Sequence, residues 1–222
     1  MRKFVLAVLA VGLLAFSCKT RTKQDVTVNL STQDSLAAVK AAQALPEEPV
    51  FDIVTNMGTI RVRLFKDTPK HRDNFVHLAL GGYYDNTLFH RVIKGFVIQG
   101  GDPFTRDTSL VDKWGEGGPD YTIQAEMRDQ AGEPLHTHVK GALAAARQGD
   151  IANPFKESSG SQFYLVQDPT HCEHLDGEYT VFGETIAGLH VIDNIAAVET
   201  DRMDRPVQEV RIITIKPNKE LN

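Results

Sequence analysis

The sequence is poor in cysteine, in tryptophan and in positive charge. Its 222 residues include two cysteines, Cys18 and Cys172, and one tryptophan, and no cysteine or histidine spacing matches a standard C-x2-C or H-x3-H zinc pair. The 24 lysines and arginines are outnumbered by 29 acidic residues, and the net charge of −5 argues against a nucleic-acid-binding protein. With 41% hydrophobic residues, the chain suits one globular domain plus additional sequence.

The sequence also lacks an apolar run as long as a comfortable membrane span, which needs about 20 residues. The N-terminal run is shorter, from Phe4 to Phe16, and it follows Arg2 and Lys3. A basic segment followed by a short apolar one is the pattern of a secretory signal peptide, which is predicted at residues 1–17.

The end of this run resembles a bacterial lipoprotein signal. In such signals the cysteine, here Cys18, is lipidated and becomes the first mature residue, although Phe16 is bulkier than the small residue usual at its position. An uncleaved anchor and plain secretion are the alternatives. With lipid on Cys18, only Cys172 is left, so the mature protein has no intramolecular disulfide. The protein is expected in the cell envelope, anchored to a bacterial membrane by more than one acyl chain.

Composition divides the rest of the chain into a tether, a domain and a tail. Residues 18–49 are predicted to be the lipidated cysteine and a polar tether without aromatics. A short helix near residues 35–45 is an alternative, either within the tether or docked on the domain. The domain is predicted at residues 50–217, and residues 218–222 form a tail.

Within the domain, many short alternating segments are separated by glycine, and only two stretches have a helical pattern. One helix is predicted to begin after Thr68 with Pro69 in its first turn, and the other lies in "GLHVIDNIAAV". This pattern predicts a mainly β fold, a closed antiparallel β-barrel, rather than alternating βαβ units.

One arginine, Arg91, lies among bulky apolar residues in "FHRVIKGFVIQGGD". Strand alternation predicts Phe89 and Arg91 on one face, with His90 and Val92 on the other. A half-buried guanidinium needs a partner, and Gln99 and Gln162 are the polar candidates by spacing. An ordinary surface arginine is the alternative.

Three segments, "FHRVIKGFVIQGGD", "GSQFYLV" and "LDGEYTVFGETIAGLHVID", resemble the signature blocks of the cyclophilin family of peptidyl-prolyl cis–trans isomerases. Their order and spacing match across residues 50–216. The resemblance implies an eight-stranded barrel capped by two α-helices, with Arg91 as the catalytic residue and Gln99 orienting it. It further implies a proline pocket with walls at Phe96, Val97, Tyr164, Leu175 and Tyr179, and contacts from Ala146 and Gln162 to the peptide backbone.

The implied activity is isomerisation of X-Pro bonds in exported protein clients, by a monomer that needs no cofactor or metal. A non-catalytic module that binds proline-containing segments, as a chaperone or adaptor, is the alternative function. The sequence departs from the family at His174, where a tryptophan is frequent, and at Arg147, where some members have an asparagine that contacts the peptide. Tyr164 and Tyr179 also depart but keep aromatic walls.

A metal site is a competing interpretation of the histidines. His171, Cys172 and His174 lie close together in "THCEHLDG", and "LHTH" adds His136 and His138. These residue types are ligands for zinc or copper. Exposed loop histidines beside an idle thiol are the simpler explanation, and no metal is predicted.

Overall fold

The computed structural model describes residues 42–222. The predicted signal peptide, Cys18 and the first part of the predicted tether lie outside the described residues. The strands are β1 Val50–Thr55, β2 Gly58–Leu64, β3 Arg91–Val92, β4 Val97–Gly100, β5 Thr122–Ile123, β6 Ala142–Ala145, β7 Ser158–Ser159, β8 Phe163–Val166, β9 Val181–Ala187 and β10 Ile212–Pro217. The α-helices are α1 Pro69–Leu80 and α2 Leu189–Ala196. None of the helices formed by residues 42–222 combines the length and the apolar character needed to cross a bilayer.

Eight strands form one antiparallel sheet in the order β10-β1-β2-β9-β6-β8-β4-β3, and β5 pairs with β7 separately. The predicted mainly β fold with eight antiparallel strands and two helices is therefore confirmed. The sheet has two ends, at β3 and β10, and within the described residues the isolated bridge from Leu88 to Arg211 lies between them. Complete closure into a barrel stays a prediction.

Local sequence explains the hairpin and the first helix. Gly58 opens β2 with a φ of +133°, a conformation that glycine adopts readily, so the chain reverses tightly after β1. Helix α1 begins after Thr68, as predicted, with Pro69 at a position where its missing N–H costs nothing. Phe75 and Leu78 on its inner face are buried.

The main core lies between one face of the sheet and the two helices. Its largest fully buried side chains are Phe51, Ile53, Ile60, Leu64, Phe75, Tyr84, Phe89, Ile98, Leu143, Phe163, Leu165 and Ile192. Burying a side chain of this size contributes about 1.5–3 kcal/mol, so this set makes a large contribution to the hydrophobic stabilisation.

A second apolar cluster lies on the opposite face of the sheet. It contains Val97, Ala142, Ala144, Ala146, Tyr164, Val166, Cys172, Leu175 and Val181, with Phe65, Phe96 and Tyr179 packed against it. Successive strand side chains point to opposite faces, so strands β4, β6 and β8 supply both the main core and this second cluster. The second cluster is the part of the molecule that holds the candidate site.

The prediction that Phe89 and Arg91 share a face is wrong. Phe89 and Val92 both belong to the main core, whereas the Arg91 side chain is 43% exposed. Strand β3 begins only at Arg91, so the residues before it are outside the ladder and do not follow its alternation. Pairing with β4 therefore decides the direction of Arg91.

The segment before β1 packs on the domain. Ala42 and Leu45 contact the main core, the carbonyl oxygen of Pro49 accepts a hydrogen bond from Leu64 N at 3.0 Å, and that of Glu47 accepts one from Arg72 Nη1 at 3.1 Å. Packing against the core thus begins before the predicted domain start at residue 50.

Candidate active site

A row of side chains crosses the sheet on the face of the second cluster. Arg91 of β3 lies directly opposite Gln99 of β4, Gln99 lies opposite Tyr164 of β8, and Tyr164 lies opposite Ala144 of β6. Directly opposed residues of antiparallel strands have Cβ atoms about 4.5–5.5 Å apart. The register therefore places the Arg91 side chain next to the Gln99 amide, and Gln99 in turn adjoins the apolar surface that begins at Tyr164.

The predicted pocket walls are gathered in the second cluster. Val97, Tyr164 and Leu175 are buried, and Phe96 and Tyr179 pack against them. The Tyr164 and Tyr179 rings meet edge to face with centroids 6.2 Å apart. The arrangement offers an apolar and aromatic surface beside Arg91, the composition expected of a site for a proline ring.

His174 extends the aromatic wall. Its ring is nearly parallel to that of Phe96, at an angle of 15° and a centroid distance of 6.4 Å. The position where the family often has tryptophan thus still presents an aromatic surface, but a smaller one.

The two glutamines bind each other. Gln99 Nε2 donates to Gln162 Oε1 at 3.0 Å, and Gln162 Nε2 donates to the carbonyl oxygens of Gly115 and Gly117 at 2.9 and 2.7 Å. Within residues 42–222, Arg91 makes no hydrogen bond to Gln99, so the orienting role of Gln99 stays a prediction. Gln162 is buried and fixes the loop at Gly115–Gly117 to β8.

Arg91 instead has a carboxylate neighbour, Asp204. Arg91 Nε lies 3.8 Å from Asp204 Oδ2, and both side chains are close to half exposed. The next residue of β3, Val92, donates its N–H to the carbonyl oxygen of Asp204 at 2.8 Å. Asp204 was not predicted from the sequence, because nothing in the charged loop around it indicates which strand it contacts.

A buried hydrogen-bonded chain supports Tyr164 from behind. The Tyr164 hydroxyl lies 2.8 Å from His138 Nε2, and Asp176 Oδ1 lies 2.7 Å from His138 Nδ1. Asp176 also accepts from the His138 backbone N–H. A carboxylate at Nδ1 favours the proton there, so Nε2 accepts the hydrogen bond from the Tyr164 hydroxyl.

Burial governs the titration of this chain. Desolvation lowers the pKa of His138, although Asp176 opposes the shift, and burial raises the pKa of Tyr164 well above its usual value. Both groups are therefore neutral near pH 7. His138 was considered in the sequence analysis only as a metal ligand, and the structure gives it this supporting position instead.

Arg147 is committed to the pocket wall. Its guanidinium lies over the Tyr179 ring at 4.3 Å, Nε donates to the Glu178 carbonyl oxygen at 3.0 Å, and Nη1 pairs with Asp150 at 2.6 Å. Only 4% of its side chain is exposed. Arg147 therefore packs on Tyr179. In some family members the residue at the position of Arg147 is an asparagine that contacts the peptide instead.

The remaining candidate metal ligands have other surroundings. His136 Nε2 lies 2.9 Å from Asp67, and its ring stacks on Phe65 at 4.1 Å. Cys172 is buried, which raises its pKa to about 11. Across the described part of the chain, no three histidine, cysteine or acidic side chains are grouped so that they could hold a metal ion.

Comparison with known proteins identifies relatives over the whole domain. A family model described as cyclophilin type peptidyl-prolyl cis-trans isomerase/CLD matches residues 50–217. The Arabidopsis thaliana peptidyl-prolyl cis-trans isomerase CYP18-1 is 37% identical over 167 residues, covering 74% of this chain and 94% of the relative. The Homo sapiens peptidyl-prolyl cis-trans isomerase-like 1 is 38% identical over 178 residues, with 78% and 94% covered.

Solved structures agree in fold. A crystal structure of a Cryptosporidium parvum cyclophilin type peptidyl-prolyl cis-trans isomerase, in the presence of the dipeptide Ala-Pro, superposes with a TM-score of 0.65 at 30% identity. The match covers 77% of this chain and 99% of the other. A cyclophilin from Hirschia baltica, at 20% identity and a TM-score of 0.61, shows the fold alone.

Proposed function

Because the chain belongs to the family of cyclophilin-type peptidyl-prolyl cis–trans isomerases, we propose that Arg91 catalyses rotation about X-Pro bonds by stabilising the twisted amide. The proline ring rests on the second cluster, with its walls at Phe96, Val97 and Tyr164. The clients are proline-containing polypeptides, and the Ala-Pro dipeptide present with the Cryptosporidium relative supports this substrate class.

The observation that carries this mechanism is the row from Arg91 through Gln99 to Tyr164. It places a cation beside an apolar surface on a rigid sheet. In the proposed complex the prolyl ring lies on Tyr164 and Val97, with its nitrogen and its preceding carbonyl turned toward Arg91. The positively charged group is thus held near the bond that rotates.

Physical chemistry explains the choice of an arginine. Rotation about a peptide bond meets a barrier of about 18–20 kcal/mol, because twisting breaks the amide resonance. The twisted form has a lone pair on the prolyl nitrogen and a displaced carbonyl, and a guanidinium donating to either stabilises it over both planar ground states. One charge-assisted hydrogen bond contributes about 1.5–3 kcal/mol, and 1.36 kcal/mol is tenfold in rate, so Arg91 accounts for roughly one hundredfold.

The apolar walls supply the remaining acceleration. They fix the proline ring, so that only the acyl side of the bond turns, and they lower the local dielectric around the guanidinium. Gln162 and Ala146 lie at the adjoining edge, where Ala146 N donates to the Gln162 carbonyl oxygen at 3.0 Å. We assign this edge to the peptide backbone beside the proline. The mechanism uses no nucleophile, general base or cofactor.

The clients are proposed to be exported proteins, since the N-terminal sequence has the features of a lipoprotein signal. Uncatalysed X-Pro isomerisation takes tens to hundreds of seconds and limits folding, so such an enzyme is useful in the cell envelope. We propose that the protein acts as a monomer attached through lipid on Cys18. Replacing Cys18 by serine is then expected to abolish labelling by a radioactive fatty acid and to move the protein from the membrane fraction to the soluble one.

The proposed mechanism is tested by measuring isomerisation of an Ala-Pro test peptide with the wild type and with Arg91→Ala. We expect kcat/KM to fall about one hundredfold while circular dichroism stays unchanged. Arg61→Ala serves as the control, because Arg61 is an arginine of strand β2 that pairs with Asp52. Wild-type activity in a folded Arg91→Ala variant would refute the role of Arg91. A folded wild type that binds the peptide without turnover would instead favour the binding-module function.

A further inference from the structure

We propose that Asp204 is a positioning residue for Arg91, whose carboxylate holds the Nε edge of the guanidinium so that the terminal amino groups are available to the prolyl amide. This inference rests on the proposed function of Arg91. It assigns to a charged loop the orienting role that the sequence analysis gave to Gln99.

Among the polar neighbours of Arg91, Asp204 differs in the way it contacts the guanidinium. The closest approach of Asp204 to Arg91 is at Nε, with 3.8 Å between Nε and Oδ2. Gln99 lies opposite Arg91 in the ladder, but its amide donates to Gln162. Among residues 42–222, no other acidic side chain forms an ion pair with Arg91. At 3.8 Å the two groups form an ion pair without a hydrogen bond, so the Asp204 carboxylate attracts the Nε edge of the guanidinium and leaves its two terminal nitrogens for other partners.

The loop that carries Asp204 is built as a fixed turn. The Asp201 carboxylate accepts hydrogen bonds from the N–H groups of Met203 and Arg205 at 2.8 and 3.0 Å. The Asp201 N–H donates to the Arg205 carbonyl oxygen at 2.8 Å, and the Asp204 N–H donates to that of Asp201 at 3.1 Å. The Asp204 carbonyl oxygen in turn accepts from Val92 N. The backbone of Asp204 is thus fixed relative to the backbone one residue beyond Arg91, and its side chain starts from a defined position beside Arg91.

The backbone of Asp204 is strained. Its φ is 59°, in the left-handed region that favours glycine, and it is one of three non-glycine residues with positive φ in the described part of the chain. A turn of this shape is made most easily by glycine. A non-glycine residue kept in this conformation at a candidate site suggests that its side chain has a function there. The carboxylate facing Arg91 is the function that the contacts indicate.

The pair is suited to orientation rather than to stability. Both side chains are 43–46% exposed, and exposed pairs add little to folding and are screened by salt. The rate is proportional to the fraction of time that the Arg91 side chain spends in its productive orientation. A neighbour that restricts Arg91 to this orientation therefore raises the rate. We expect removal of the charge to lower kcat three- to fivefold and to leave KM unchanged, because the proline pocket is untouched.

The experiment compares full-length Asp204→Asn and Asp204→Gly with the wild type on an Ala-Pro test peptide, at about 20 mM and about 1 M NaCl. Asparagine keeps the shape and tolerates positive φ, and glycine relieves the strain. Both variants are expected to be at least as stable as the wild type in urea and to lose kcat equally at low salt. The difference from the wild type should shrink at about 1 M NaCl, where the screening length is about 3 Å. Asp73→Asn, which removes one carboxylate from the exposed pair with Arg72 on α1, is the matched control and should keep wild-type kinetics.

A double-variant cycle distinguishes positioning from a structural role. In the Arg91→Ala background, Asp204→Asn is expected to cause no further loss of kcat, because the group that it orients is absent. A loss that persists in that background, or that salt does not reduce, would overturn the proposal, as would wild-type or higher kcat in Asp204→Asn. If Arg91→Ala alone keeps full activity, the proposed function of Arg91 fails. If Arg91→Ala is inactive and Asp204→Asn is fully active, only the positioning role fails.

Discussion

Tyr164 and His138 show how one side chain of the pocket depends on another behind it. The Tyr164 ring forms a wall of the site, while its hydroxyl is bound to a neutral, buried histidine. A buried acceptor that loses its donor costs more free energy than the hydrogen bond itself contributes. The hydroxyl is therefore needed to satisfy the buried His138 side chain, whereas the ring is the part that lines the candidate site.

Tyr164→Phe is expected to lower the free energy of unfolding by about 1–3 kcal/mol, because His138 Nε2 loses its buried partner. Isomerase activity should stay within about twofold of the wild type, since the aromatic wall is kept. Urea unfolding and the Ala-Pro peptide assay measure the two quantities on the same protein.

The double variant Tyr164→Phe/His138→Leu is expected to be destabilised by less than the sum of the single variants, since both partners of the buried bond are removed. Asp176 is left with the backbone N–H of residue 138 and with solvent, because 23% of its side chain is exposed. Additive losses would contradict the coupling between Tyr164 and His138.

The residues found from the sequence and those missed differ in the range of their contacts. The resemblance to the cyclophilin family points to Arg91, Gln99 and Tyr164, and the motifs that carry this resemblance are contiguous in sequence. Asp204 and His138 act through partners that are distant in sequence, and neither neighbourhood shows which strand it meets. Local sequence patterns do not reveal such a pair, because the path of the loops brings its two members together.

At the scale of elements, the end of β4 determines the spacing of the site. Gly101 has a φ of +87°, and a Cβ at this position would meet the Ser161 carbonyl oxygen at 2.4 Å. The segment before β8 therefore lies in direct contact with the backbone of Gly101, which has no side chain. This close approach places Gln162 where it bonds both Gln99 and the Gly115–Gly117 loop.

Gly101→Ala is expected to cost more than about 3 kcal/mol of stability and to lower kcat/KM, because the segment holding Gln162 must move away from β4. Part of this cost, about 1–2 kcal/mol, is the left-handed conformation itself. Gly95→Ala is the matched control: its φ is +80°, but no neighbouring atom lies within 4 Å of the added Cβ, so only the conformational part should appear. Thermal unfolding of both variants measures the difference, and equal losses would refute the packing argument.

For the whole molecule, the pH dependence of stability is expected to depend on His90, the residue before Arg91. His90 is buried with neither ring nitrogen hydrogen-bonded within residues 42–222, and desolvation lowers its pKa to about 4. An unfolded histidine has a pKa near 6.5. Between these pH values the unfolded chain binds a proton that the folded protein does not, so stability falls as the pH falls.

Urea unfolding of the wild type between pH 7 and pH 4 is expected to show a loss from His90 of up to about 1.4 kcal/mol per pH unit, about 3 kcal/mol in all. His90→Leu removes the titrating group and should reduce the slope in this window. Other buried groups, such as His138, account for the slope that is left. An unchanged slope in the variant would show that His90 does not carry the effect.

The segment before β1 also contributes to the stability of the molecule. A chain beginning at residue 42 keeps the contacts of Ala42 and Leu45 with the core. A chain beginning at residue 50 loses these contacts and also the hydrogen bonds from Leu64 N to Pro49 and from Arg72 to Glu47. We expect the shorter chain to be about 2 kcal/mol less stable, mainly from one partly buried leucine and the loss of these two hydrogen bonds. Equal urea midpoints would show that this segment adds nothing.

The strand and helix pattern follows from alternation and capping, which are local properties of the sequence. The pocket walls and the role of Arg91 are what the resemblance of contiguous motifs to the cyclophilin family implies. The sequence did not determine the direction of Arg91 relative to Phe89, which depends on where pairing with β4 begins. Nor did it determine that Gln99 binds Gln162 and that Asp204 lies beside Arg91. Each of these side chains could hydrogen-bond or form an ion pair with several residues of the sequence. The register of the sheet and the path of the loops determine which partner it meets.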